Sequence, residues 1–100
     1  MRARGAGVRV TFELAGFLRS FAGGAREVRL DVPGRTVGDA LRALAERHPG
    51  VCSRVLDEQG SVRRHVNVFV GDLSIRDTGG LATELRDGST ISLLAAVSGG

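Results

Sequence analysis

Two histidines, one cysteine, eleven carboxylates and fourteen arginines are the side chains from which this sequence could assemble a reactive site. The spacing of His48, Cys52 and His65 fits no common zinc motif, so no metal site is expected. Cys52 follows Pro49-Gly50-Val51 in an expected loop; His48 is the only base near it in sequence, and a spectator thiol is the expected reading. Asp72, Asp77 and Asp87 neighbour glycines without the spacing of a calcium loop, which assigns them to turns. Gly5-Ala6-Gly7 lacks the third glycine of a dinucleotide fingerprint and precedes a strand where the fingerprint must follow one. Gly79-Gly80 reads as a bend. Not one lysine occurs, so Schiff-base and P-loop chemistry are excluded.

What remains is the terminal carboxylate. Activation by ATP turns such an acid into an acyl-adenylate open to a sulfur or nitrogen nucleophile. Gly99 and Gly100 have no Cβ to obstruct a narrow active site, and they let the tail adopt whatever backbone angles another protein demands. With 15 glycines in 100 residues, a terminal pair arises by chance about 2% of the time. Its position directly after an apolar strand strengthens the functional reading: a short tail on a rigid body can be presented as a substrate.

The elements that would position this tail are legible as alternation and caps. Val8, Val10, Phe12 and Leu14 alternate with Arg9, Thr11 and Glu13, giving a half-buried strand. Phe17, Leu18 and Phe21 supply further apolar surface through a loop to Gly23-Gly24. Val28, Leu30 and Val32 then form a second strand, antiparallel to the first. Thr36 and Asp39 head a helix with apolar positions Val37, Ala40, Leu41, Leu44 and Ala45, stopped near His48 by Pro49-Gly50. Residues 51–61 hold one helical turn or a packed loop. A strand spans Val62 to Val70, Leu73, Ile75, Leu81 and Leu85 anchor an irregular stretch, and Ile91 to Val97 form the last strand after an Asp87-Gly88 turn. The expectation is a single α+β domain over residues 1–100, with 98–100 as its flexible tail.

Composition narrows the partners. The chain carries a formal charge of +3 and only four aromatic residues, all Phe. Its arginines are scattered among acids, so no nucleic acid partner is expected. The longest apolar run is too short for a bilayer, the N-terminus lacks a signal-peptide pattern, and a single thiol suits a reducing compartment; no membrane association and a cytoplasmic location are expected.

The segment Val66-Asn67-Val68-Phe69-Val70, the stretch from Gly79 to Gly88 and the ending Leu93-Leu94-Ala95-Ala96-Val97-Ser98-Gly99-Gly100 resemble the β-grasp sulfur carriers, over nearly the whole chain beyond residue 6. That family includes the small subunit of molybdopterin synthase and the carriers of thiamin and cysteine biosynthesis. The resemblance implies a β-grasp (ubiquitin-like) fold: a mixed four- to five-stranded sheet covered on one face by one main helix, its first and last strands parallel at the centre. It implies a protein co-substrate and not an enzyme, with no bound cofactor. An E1-like enzyme would use ATP to adenylate Gly100, sulfur would convert it to a thiocarboxylate, and a biosynthetic enzyme would accept that sulfur. Ala95-Ala96 stand where many molybdopterin-type carriers have proline, and the Gly-Gly-Leu-Ala-Thr stretch is similar to the cysteine-biosynthetic (CysO) branch, which is therefore favoured. Molybdopterin, thiamin and specialised-metabolite sulfur delivery remain alternatives. So do a ubiquitin-like protein modifier and a plain interaction module. Strand parity places Phe69, Leu94 and Ala96 opposite the helix, as an apolar docking patch continued by Val97 and Ser98 into the tail.

Overall fold

The computed structural model describes residues 7–95. β1 (Val8–Leu14) and β2 (Glu27–Val32) form the expected antiparallel pair, Val8 opposite Val32 and Phe12 opposite Val28. β3 (Val66–Val70), β4 (Leu73–Ser74) and β5 (Ser89–Ala95) complete a five-stranded sheet of order β2-β1-β5-β3-β4. β5 lies parallel to β1, with Val10 opposite Ser89 and Leu14 opposite Leu93, and antiparallel to β3, with Val66 opposite Ala95.

Helix α1 (Val37–Arg47) covers one face of the sheet and buries Val37, Ala40, Leu41 and Leu44. Its start is a capping box: the Asp39 backbone N–H donates to the Thr36 hydroxyl at 3.1 Å, and the Thr36 N–H donates back to the Asp39 carboxylate at 3.2 Å. Two orphan donors of the first turn are thereby satisfied. The stretch before β5 is tied to the same place, because the Val37 N–H donates to the Thr83 carbonyl at 3.0 Å and the Leu85 N–H to that of Arg35 at 2.7 Å. Thr83, the one buried polar side chain among the described residues, shares its hydroxyl with Thr78 Oγ1 at 2.9 Å and the Gly80 carbonyl at 2.7 Å.

Several expectations need correction. Residues 51–61 do not hold a packed loop alone: Pro49 ends α1 yet opens a second helix, α2 (Pro49–Val55), since a first-turn proline needs no N–H partner. Cys52 lies on that helix and not in a loop. The segment Gly16–Ala22 is a 3-10 helix, ended by Gly23 at φ 66°, and of its apolar residues Leu18 is buried, Phe21 half-buried and Phe17 exposed. The third strand starts at Val66; Val62 makes only an isolated bridge to Leu56, and His65 sits in the preceding turn. Ile75 and Leu85 anchor their stretch as expected, Leu81 is half-buried, and Leu73 is 61% exposed because it belongs to a two-residue edge strand. Val97, the expected end of the last strand, lies outside the described residues, as do Ala96, Ser98, Gly99 and Gly100.

Thr36→Ala is expected to lower the unfolding free energy by about 1 kcal/mol, read from urea titration with an unchanged slope. Hydrogen bonds with Thr36 and then Arg42 hold the Asp39 carboxyl below its ordinary range. Its contribution is complete above the usual carboxylate range and is lost as pH falls through the depressed value, so the stability gap between the parent and Asp39→Asn closes in acid.

Candidate functional site: the exit of the central strand

The tail can act as a substrate only if the body beneath it holds still, and the end of β5 is held from both sides. Leu93 is fully buried, pairs with Leu14, and accepts the Ala15 N–H at 3.2 Å. Ala95 pairs with Val66 across the antiparallel side. At the opposite end of β5, the Asp87-Gly88 turn clamps onto β1: the Arg9 N–H donates to the Asp87 carboxylate and the Gly88 N–H to the Arg9 carbonyl, both at 2.7 Å. Gly88 sits at φ 89°, in the left-handed region where a side chain is strained.

Strand parity is as expected. Val66, Val68, Ile91 and Leu93 are buried on the helix side, with Val70 half-buried. Asn67 and Leu94 face each other on the opposite side, as do Phe69 and Ser92. Phe69 and Leu94 are thus diagonal neighbours of one face. Leu94 is 39% exposed, whereas Phe69 is half-buried. The remainder of the expected patch, Ala96, Val97 and Ser98, falls outside the described residues together with Gly99 and Gly100.

Beside Leu94 runs an open groove of about 750 Å³, lined also by Glu13, Arg19, Arg26, Glu27 and Ser92. Two acids and two arginines balance its charge. Arg19 is fixed by an Nε bond to the Leu14 carbonyl at 2.8 Å, and the Ser92 hydroxyl donates to Glu13 at 3.2 Å. Sequence reading missed this groove. Its walls come from the 3-10 segment and the turn before β2, whose placement depends on packing and not on a local period.

The other reactive side chains are spoken for. Cys52 is 6% exposed and its thiol donates to the Leu41 carbonyl at 3.2 Å. Burial pushes its pKa up to about 11, leaving little thiolate at neutral pH. His48 ends α1, its backbone N–H donating to the Leu44 carbonyl at 2.7 Å. Among the described residues no three His, Cys, Asp or Glu side chains gather as a metal site. None of the described helices is long and apolar enough to cross a membrane.

Comparison with known proteins decides the family. The sequence pattern of the ThiS family matches residues 12–100, the Gly-Gly tail included. The chain belongs to the ThiS family. Among its ThiS-like relatives, the sulfur carrier protein CysO of Mycobacterium tuberculosis is 36% identical over 93 residues, covering 91% of this chain and 98% of that protein. The crystal structure of small archaeal modifier protein 1 (SAMP1) from Haloferax volcanii superposes with a TM-score of 0.78 at 36% identity, over 92% of this chain and 99% of that one. A chain of the crystal structure of the Amycolatopsis orientalis BexX/CysO complex superposes with a TM-score of 0.79 at 36% identity, over 91% of this chain and 99% of that one. These neighbours establish the β-grasp fold. Carriers and modifiers within the family stand equally close.

Cys52 is expected to resist alkylation in the folded protein and to react readily in urea, as intact-mass analysis after a short exposure to iodoacetamide would record. Because its folded pKa lies above the unfolded value, the free thiol costs stability as pH rises from the ordinary thiol range towards 11. Cys52→Ser should flatten that alkaline loss.

Proposed function

We propose that this chain is a sulfur carrier. The observation that carries the reading is a family match running through Gly100, on a chain whose central strand is fixed just before a Gly-Gly ending. The Gly100 carboxylate attacks the α-phosphate of ATP on an E1-like activating enzyme; pyrophosphate leaves and an acyl-adenylate forms. Sulfide, as HS⁻, then adds to that carbonyl and expels AMP, leaving a thiocarboxylate and releasing the thiol proton. The protein supplies the carboxylate and its presentation, and the activating enzyme supplies ATP and catalysis. ATP is a co-substrate of that enzyme, and the carrier holds no cofactor of its own.

Sulfur delivery in the manner of CysO, to a pyridoxal-phosphate cysteine synthase, is the favoured destination, supported by 36% identity to CysO over most of both chains. Similarity to a CysO found in complex with BexX supports an acceptor enzyme that engages the carrier directly. The similarity to small archaeal modifier protein 1 favours a second reading, attachment to lysines of target proteins through the same adenylate. The two differ in the fate of Gly100: thiocarboxylate or isopeptide. Reducing cytoplasm suits both, since the lone thiol has no disulfide partner in the chain.

Appending one residue after Gly100 is expected to abolish ATP–pyrophosphate exchange with the cognate activating enzyme, and Gly99→Val to impair it by crowding a narrow channel. Mass spectrometry of the product should show one oxygen exchanged for sulfur at the terminus. Undiminished conversion of the extended, unprocessed chain would refute the reading, and recovery of isopeptide-linked targets without thiocarboxylate would favour the modifier.

On this reading Phe69 and Leu94 form the docking face beside the tail, apolar contacts near the reactive end serving to bind and to aim it. Phe69→Arg and Leu94→Arg should each raise the KM for the carrier in adenylation by roughly tenfold with kcat nearly kept, while circular dichroism remains native.

A further inference from the structure

A second groove at the tail end of the sheet is unlike the first. Phe17 and Phe21 of the 3-10 segment, Ser53 and Arg54 of α2, and Arg63 and His65 ahead of β3 line an open space of about 460 Å³. Among the described residues no carboxylate lines it. Elsewhere, Arg9, Arg29 and Arg42 are paired with Asp31, Glu27 and Asp39, whereas the arginines of this groove are held by neutral groups. The Arg54 guanidinium lies over the Phe21 ring, 4.7 Å from its centroid. Phe17 meets that ring edge-on, with centroids 6.1 Å apart and an interplanar angle of 81°. Arg63 donates from Nη2 to the Ser53 carbonyl at 3.2 Å and from its backbone N–H to the Val55 carbonyl at 2.9 Å.

The arrangement is braced from behind. Arg76 Nη2 donates to the carbonyls of Arg63, Arg64 and Val66 at 3.4, 3.2 and 2.9 Å, and its Nη1 donates to Asn67 Oδ1 at 2.9 Å. Gly50 leaves room for the aromatic wall, since a Cβ there would lie 3.0 Å from Phe21 Cδ1. Asp57 is the acid that feels the charge of Arg63, but it forms no ion pair with it among the described residues; its Oδ1 accepts the backbone N–H groups of Gln59 and Ser61 at 2.9 and 3.0 Å. A ring face and carbonyl oxygens orient a guanidinium without cancelling its charge. These cations are therefore preorganised and still available to an anion.

We infer that this groove docks an acidic segment of a partner protein, its carboxylates meeting Arg54 and Arg63 and an apolar side chain covering Phe17, which is 39% exposed. Planar guanidinium matches carboxylate through paired hydrogen bonds. A single-stranded nucleic acid fits less well, because the Arg54-covered face of Phe21 is closed to stacking and Phe17 alone is not a succession of platforms. The groove flanks the strand exit: the 3-10 segment follows β1, whose Leu14 pairs with Leu93, and His65 precedes Val66, the partner of Ala95. One partner can hold this groove and the tail together, but the inference rests on the groove's own residues and needs no tail chemistry.

The test uses the full-length, isotopically labelled chain and an end-blocked peptide alternating glutamate and leucine, followed by NMR. Saturable shifts are expected at the amides of Phe17, Arg54, Arg63 and His65, weakening with added salt. A peptide with glutamine for glutamate should lose them. The double variant Arg54→Glu with Arg63→Glu should bind roughly tenfold or more weakly, and Arg54→Lys with Arg63→Lys should fall between it and the parent, keeping the charge but losing the paired hydrogen bonds. Should charge reversal unfold the chain, Arg54→Gln and Arg63→Gln carry the same comparison. Unshifted groove amides, equal binding of the glutamine peptide, unchanged affinity of the charge variants, or stronger shifts from a short oligothymidylate would each overturn the proposal. Neither ATP nor an activating enzyme is present, so the outcome is independent of the sulfur-carrier reading.

Discussion

The parallel pairing of β1 with β5 is the contact on which the rest of the molecule depends. Parallel neighbours cannot be joined by a tight turn, so the chain must travel through β2, both helices, β3 and β4 before returning to the centre of the sheet. The returning strand is held in register by two bonds to the Arg9 backbone, whose N–H donates to the Asp87 carboxylate and whose carbonyl accepts the Gly88 N–H. A slip of one residue would turn Ile91 and Leu93 out of the core and bring Ser92 and Leu94 in. The same pairing sets where β5 ends and which of its side chains face the open side.

The burial of Leu93 between two strands and beneath the helices gives the tail a fixed origin. On the proposed function, a partner that must aim one carboxylate gains from such a base, because rigid-body docking then places the end of β5. The two grooves beside the exit differ in electrostatics. One balances glutamates against arginines; the other presents cations held by a ring and by carbonyls. The end of a small sheet thus offers distinct surfaces to an incoming protein.

Much of this was readable from residues alone, for physical reasons. β1 shows its bounds because one face is buried and the other wet, so Val8 to Leu14 alternate without interruption. The start of α1 is visible because a capping box is a local device within four residues. The 3-10 segment escaped, and α2 was legible only as one of two alternatives for residues 51–61, because seven residues are too few to set a helical period against the background, and because His48 ends one helix while leading the next. The first groove and the basic one were illegible. Phe21 is shaped by Gly50 and Arg54, distant in sequence, and nothing in the spacing of Phe17, Arg54 and Arg63 foretells that they meet. The family was legible through the terminal glycines and the segments that carry the resemblance, and the family match extends through the same residues.

The bond from the Cys52 thiol to the Leu41 carbonyl bears on more than packing. An activated acyl group is a hazard to the chain that carries it, since any nearby amine or thiolate would capture it and end its usefulness. This sequence has no lysine, and its single thiol is buried, protonated and turned towards a main-chain oxygen. Its fourteen arginines supply positive charge with guanidinium groups that stay protonated and are poor nucleophiles. On the proposed function, the side chains of this chain thus give an activated Gly100 almost nothing to acylate, on the same copy or on a neighbouring one.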